Sequence, residues 1–179
     1  MSKRIVLVLT LAIVAATMMA LSGPVFAAPG NTDPNVQKGL DQVRQATAKY
    51  HEVSNALAAG YLPTEHCVAA PGVGGMGYHY VNPALIGDPS INPLEPEVLL
   101  YAPKNNGEVK LVGVEYLAKD ADQDLSTESD RPNLFGVPFN GPMLGHEPGM
   151  PIHYDLHAWI WKNNSRGLFD DWNPDVSCP

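Results

Sequence analysis

The spacing of apolar residues differs between two parts of this chain, and in the N-terminal part it is the spacing of a helix. Six apolar side chains fall on one stripe of a helix: Val36, Leu40, Val43, Tyr50, Val53 and Leu57. The pair Asp33-Pro34 marks its start as an acidic N-cap followed by proline, and Gly60 marks its end. The pattern predicts one amphipathic helix over residues 34–59 that covers one face of a sheet.

Beyond Cys67 the spacing changes to the alternation that is typical of β-strands, and glycine and proline become frequent. Strands are predicted over residues 76–81, 97–102 and 108–117. The pair Asn106-Gly107 predicts a hairpin between the last two, because both residues tolerate the positive φ angles of a tight turn. With a final strand near the C-terminus, the chain predicts an α+β domain in which the helix packs on a curved, mostly antiparallel sheet of about four strands.

The final predicted strand, residues 153–161, alternates strictly. One face carries Tyr154, Leu156, Ala158 and Ile160, and the other carries His153, Asp155, His157, Trp159 and Trp161. A helix would scatter these two sets. The strand therefore presents histidines, an acid and two tryptophans on a common side.

The N-terminus reads as a secretory leader. Two basic residues precede an apolar run from Ile5 to Leu21, and a helix-breaking Ser-Gly-Pro follows it. Val25 and Ala27 then place short side chains at positions −3 and −1 of a cleavage site after Ala27. These features predict a signal peptide over residues 1–27 and a single secreted domain over residues 28–179, either extracellular or periplasmic. An uncleaved anchor is the alternative, but the run of 17 residues is short for a membrane span.

Cleavage would leave a strongly acidic domain. The leader contains two basic residues and no acid, so its removal changes the net charge from −8 to −10. That charge argues against nucleic acid and anionic lipid as partners. No later apolar run approaches spanning length, so no stable membrane insertion is expected after cleavage. A small molecule or a metal ion is the expected partner.

Cys67 and Cys178 are the only cysteines. Export would take the chain to an oxidising compartment, where two cysteines usually pair, so a disulfide between them is predicted. Two free thiols and a copper site are the alternatives. The bridge would tie the end of the helical region to the C-terminus.

Three residues on different predicted strands suggest a metal site. His79, Glu115 and His157 would converge in one pocket if their strands lie in one sheet, and a carboxylate within an apolar strand is costly to bury without a partner. Two imidazoles and a carboxylate suit zinc, copper or iron. His153 and Asp155 would orient a ligand or shuttle protons around them.

The same residues leave other hypotheses open. Trp159 and Trp161 would form the walls of a pocket for a small apolar or aromatic ligand, held by a protein without enzymatic activity. A structural network or an envelope interaction module is a third reading. No residue is predicted to be catalytic; in an enzyme built on this site, a metal-activated water or oxygen species would be the reagent.

Five segments along the mature chain together resemble a family of exported bacterial proteins of unassigned activity: Met76-Gly77-x-His79-Tyr80, Pro96-Glu97-x-Leu99-x-Tyr101, Gly113-Val114-Glu115-Tyr116, Leu156-His157-x-Trp159 and Trp172-Asn173-Pro174-x-Val176-x-Cys178. The chain departs from the family pattern at Asn164-Ser165, where Asn-Pro is expected before a glycine. The resemblance implies export and a single domain, and it assigns no reaction.

Overall fold

A computed structural model describes residues 33–147 and 149–179, so the predicted leader over residues 1–27 lies outside the described part. The described residues contain four helical segments: α1 (Pro34–Thr47), a 3-10 helix (Ala48–His51), α2 (Val53–Ala58) and α3 (Pro83–Ile86). Within these ranges, no helix has both the length and the apolarity to cross a bilayer.

The prediction of one continuous helix over residues 34–59 is wrong, since the chain bends near Tyr50. The buried Tyr50 carbonyl accepts a hydrogen bond of 2.6 Å from the Tyr101 hydroxyl on the sheet. Glu52 then has an extended backbone, with ψ 108°, and α2 begins after it. A tertiary hydrogen bond thus occupies the Tyr50 carbonyl, which would otherwise accept a hydrogen bond from the next turn of the helix. Neither glycine nor proline marks the bend in the sequence.

The α+β prediction is confirmed, but the sheet has six strands where about four were predicted. The strands of this curved sheet are β1 (Leu62–Ala70), β2 (Gly74–Val81), β3 (Val98–Pro103), β4 (Val109–Lys119), β7 (Asn140–Met143) and β8 (His153–Ala158). Their spatial order is β1-β2-β3-β4-β8-β7, and every neighbouring pair is antiparallel. Two short strands, β5 (Asn133–Leu134) and β6 (Val137–Pro138), form a separate hairpin.

The two strands missed from the sequence, β1 and β7, lie at the edges of the sheet. An edge strand has fewer neighbours, and most side chains of β1 are exposed or half-buried. Irregularities interrupt the pairing of both strands. Neither strand therefore shows the clean apolar alternation on which a prediction depends.

The two faces of the sheet pack against different parts of the chain. One face packs against α1, where Leu40 and Val43 are fully buried together with Tyr101, Tyr116 and Leu156. The opposite face holds a smaller apolar cluster: Val98, Leu100, Val112, Trp159 and Val176. The helix thus covers one side and leaves the other side for the histidines and carboxylates.

The C-terminal tail is fastened to the opposite edge of the sheet from β7. The predicted disulfide between Cys67 of β1 and Cys178 is confirmed. Asn173 forms an isolated bridge with Gly75 of β2, and Val176 packs into the smaller apolar cluster. The tail consequently crosses the face of the sheet that carries the histidines.

Gly77 allows β2 to approach β3 closely. Its φ is +91°, and a Cβ there would lie 2.4 Å from the Tyr101 carbonyl oxygen. No side chain fits in that space, so the strand that carries His79 depends on a glycine two residues before it. Gly107, in the hairpin turn, also has a positive φ but has no atom within 4 Å of such a Cβ.

These two glycines provide a matched test of the close approach. We expect Gly107→Ala to lower the unfolding free energy by about 1 kcal/mol, the cost of positive φ alone. Gly77→Ala adds a backbone clash and should cost about 3 kcal/mol. Urea unfolding measures both losses, and equal losses would contradict a steric clash at Gly77.

The disulfide should provide a large part of the stability. The residues that it joins are 111 apart, and closing a loop of that size corresponds to on the order of 4 kcal/mol. We expect the double variant Cys67→Ser/Cys178→Ser to lose roughly that amount in urea unfolding. Wild-type protein treated with a reductant is the control and should unfold like the variant; a loss well under 1 kcal/mol would refute the prediction.

Candidate metal centre

The structure brings His79, Glu115 and His157 together, as the sequence predicted. Glu115 of β4 and His157 of β8 are direct cross-strand partners, so both side chains leave the same face side by side. His79 comes from β2, on the far side of β3. Strands two apart are roughly 10 Å from each other, so the side chains meet because the sheet curves and both lean inward.

The separations between the polar atoms suit metal ligands better than hydrogen bonds. Glu115 Oε2 lies 3.3 Å from His79 Nε2 and 3.8 Å from His157 Nε2, and one ligand atom of each residue lies within 4.8 Å of the others. Hydrogen bonds between such groups measure about 2.7–2.9 Å. Ligands about 2.0–2.1 Å from a tetrahedral ion are separated by about 3.3 Å.

Burial makes the lack of partners costly. Glu115 is 3% exposed and His157 is 1% exposed. Glu115 Oε2 and both ring nitrogens of His157 are buried without a hydrogen-bond partner among the described residues. Unsatisfied buried polar groups cost free energy, and a buried charge costs more unless something of opposite charge meets it. As a metal-free set of side chains, the cluster therefore leaves several buried polar atoms without hydrogen bonds among the described residues.

The environment shifts the pKa values of His79, Glu115 and His157 in different directions. Burial lowers the pKa of His79, and the neighbouring imidazoles of His157 and His146 add to the effect. Burial raises the pKa of Glu115. Burial alone would lower the pKa of His157, but the carboxylates of Glu115, Asp171 and Asp155 reverse this and raise it to about 9. His79 is thus held neutral, with a lone pair available to a cation.

Asp171 is a residue of this site that the sequence analysis missed. Its Oδ1 lies 3.5 Å from His157 Nδ1 and accepts a hydrogen bond of 2.6 Å from Asn140 Nδ2. Asp171 lies in the irregular tail and Asn140 begins an edge strand, so the spacing of apolar residues does not predict where either side chain points. The only signal was the tail's predicted attachment through Cys178, which brings it near the sheet without fixing which side chain faces inward.

His153 and Asp155, predicted to support the metal ligands, do line the same cavity as those ligands. Both are buried, at 2% and 4% exposed. His153 Nδ1 lies 3.2 Å from the Pro151 carbonyl oxygen, which leaves Nε2 without a partner within the described chain. Asp155 Oδ1 is likewise unpartnered.

Trp159 and Trp161 do not form the walls that were predicted. The strand β8 ends at Ala158, so the alternation stops before both residues. The Trp159 backbone N–H donates to the Leu168 carbonyl and its indole N–H donates to the Asp170 carbonyl. Trp161 turns to the helical face, where its indole N–H donates to the Thr47 hydroxyl.

A cavity of about 860 Å³ opens over the cluster. His79, Glu115 and His157 contribute polar atoms, but most of the remaining wall is apolar. It comes from the strands β1, β2, β3, β4 and β7, from the connection between β7 and β8, from α3 and from the tail: Val68, Met76, Val81, Val98, Leu117, Met143, Met150, Ile86 and Trp172. Its volume is that of a site for a small organic molecule. His146 also lines it, from the exposed connection between β7 and β8.

Comparisons with protein-family models, with curated proteins and with solved structures gave no match for this chain.

The raised pKa of His157 sets a pH dependence for the metal-free protein. A histidine whose folded pKa lies above its ordinary value of 6.5 stabilises the fold below that pH, and this stabilisation is lost as pH rises through about 9. We expect the unfolding free energy of chelator-treated protein to fall between about pH 7 and 9. Urea titrations at several pH values measure it.

The His157→Gln variant should lose this slope, and His66→Gln, a change at an exposed histidine of β1, should keep it. A stability that stays level or rises over the same interval in the wild type would show that His157 does not titrate in this way.

Proposed function

We propose that this protein binds a divalent transition-metal ion through His79, Glu115 and His157. The observation that carries the proposal is the convergence of three ligand atoms from three strands within 4.8 Å of one another, with buried atoms of two of them lacking any hydrogen-bond partner in the described chain. A metal ion would satisfy these atoms together.

The ligand set points to zinc, copper or iron. Two imidazole nitrogens and one carboxylate oxygen suit these borderline ions, whereas magnesium and calcium prefer sites made entirely of oxygen. Three protein ligands would leave a coordination position for water or for a ligand in the cavity. A metal in such a position acts as a Lewis acid or activates water, which is the chemistry that an enzyme on this site would use.

The cavity supports a small apolar or aromatic molecule as the second component. Its wall carries methionine and branched aliphatic side chains and the indole of Trp172. Such a molecule would place a polar end at the His/Glu cluster and its apolar part against these side chains. A binding protein that needs no metal is the alternative function, and the size and apolar character of the cavity favour it.

Export forms part of the same proposal. The predicted leader, the resemblance to exported bacterial proteins and the disulfide of Cys67 with Cys178 support a role outside the cytoplasm. Metal binding there would not compete with the thiol pool that buffers zinc and copper inside cells.

Metal content tests the proposal directly. We expect mature protein without a histidine tag, stripped with chelator and reloaded with zinc, to retain a tightly bound ion through desalting. His79→Ala should weaken zinc binding at this three-residue site by at least about 100-fold, because it removes one of its ligands. Competition with a chromophoric chelator, combined with elemental analysis, measures the affinity.

His66→Ala, at an exposed histidine of β1, is the matched control and should bind as the wild type does. Unfolding curves establish that each variant is folded. Wild-type protein that retains no zinc, copper or iron would refute the proposal and leave the metal-independent binding protein, which quenching of Trp172 fluorescence by an apolar probe would then test.

A further inference from the structure

His157 belongs to two groups of potential ligands. The first is the group with His79 and Glu115, which faces its Nε2 atom. Asp155, His157 and Asp171 form a second group, in which each residue also offers one ligand atom within 4.8 Å of the others. Asp171 Oδ1 lies 3.5 Å from His157 Nδ1, on the opposite side of the ring from Glu115.

The second group is buried and incompletely satisfied. Asp155 is 4% exposed and its Oδ1 has no hydrogen-bond partner in the described chain, and the same is true of His157 Nδ1. Asp171 is held in place by the hydrogen bond from Asn140 and remains one-third exposed toward the cavity. Two inward-facing buried atoms and an opening to the cavity are what an ion would require.

The alternative function of this group is to orient His157. A carboxylate that orients a metal-bound imidazole accepts a hydrogen bond from its free N–H, usually at about 2.7–2.9 Å. The observed 3.5 Å between Nδ1 and Asp171 Oδ1 exceeds that range and is close to the separation of about 3.3 Å between two ligands of a tetrahedral ion.

Charge favours the same conclusion. Glu115, Asp155 and Asp171 place three carboxylates around one imidazole, and Lys119, the only lysine or arginine among the described residues that lines the cavity, is exposed. With a neutral imidazole, one divalent ion would leave a net charge of −1 on the cluster and two would leave +1. Release of the imidazole N–H proton to solvent on binding would bring the arrangement with two ions to zero, with the imidazolate as the bridge between them.

We propose that Asp155, His157 and Asp171 hold a second divalent ion, and that the imidazole of His157 bridges it to the ion held by His79 and Glu115. This inference rests on the proposed function, because the bridge requires the first ion. It assigns a metal-binding role to Asp155 and Asp171 and makes the centre dinuclear. The cavity then lies over two ions rather than one.

The test counts metal in variants that each remove one side of the bridge. Protein saturated with zinc and desalted should contain about two equivalents. His79→Ala should keep about one, because the second group is intact, and Asp171→Asn should also keep about one, because the first group is intact. His157→Ala should keep neither, and Asp175→Asn, at an exposed acid of the same tail, should match the wild type.

Copper provides an independent readout of the bridge. Two copper(II) ions that share an imidazolate couple magnetically, so the doubly loaded wild type should give a weaker electron paramagnetic resonance signal per copper than either His79→Ala or Asp171→Asn. Equal signal per copper in all three proteins would overturn the bridge.

The outcomes separate the two proposals. About one equivalent in the wild type that disappears in His79→Ala and persists in Asp171→Asn would leave the proposed function standing and overturn the second site, with Asp171 only orienting His157. No metal in the wild type would overturn both. Two equivalents with the variant pattern given above would support both.

Discussion

The structure depends on the placement of one carboxylate inside a β-sheet. Glu115 lies at the centre of β4, nearly inaccessible to water, and faces His157 on the neighbouring strand. A buried carboxylate is tolerated only where positive charge or hydrogen-bond donors surround it. The histidines follow from this requirement, because His79 and His157 place ring nitrogens next to the carboxylate. The neighbouring aspartates act in the opposite sense, since Asp155 and Asp171 add negative charge and raise the pKa of Glu115.

The rest of the fold holds this cluster rigidly. The helical layer occupies one face of the sheet and keeps the apolar core there, so the opposite face is left for polar chemistry. Close contact between β2 and β3 at Gly77, and the curvature of the sheet, bring His79 across to Glu115. The disulfide fastens the tail that carries Asp171. Ligands on strands are positioned more precisely than ligands on loops.

The predictions that succeeded were those that depend on a local period. Alternation along β8 assigned His153, Asp155 and His157 to one face, and a carboxylate out of place in an apolar strand drew attention to Glu115. The predictions that failed depended on where a period stops. Trp161 was assigned to the wrong face because β8 ends at Ala158 through contacts distant in sequence, and the helix bends where a sheet tyrosine takes its carbonyl. Asp171, in an irregular segment, follows no period at all.

The order of the strands also has a consequence for how the molecule assembles. The strands β1 to β4 follow one another as neighbours, so His79 and Glu115 are brought together by local pairing, which forms early because little chain must be closed. His157 arrives only after the connection over residues 120–152 has returned β8 to β4. Closing that connection costs conformational entropy and is expected to be the later event. A ligand that joins His157 to the earlier pair would therefore stabilise the contact that forms in this later step, and its binding would change most strongly the rate at which β8 detaches.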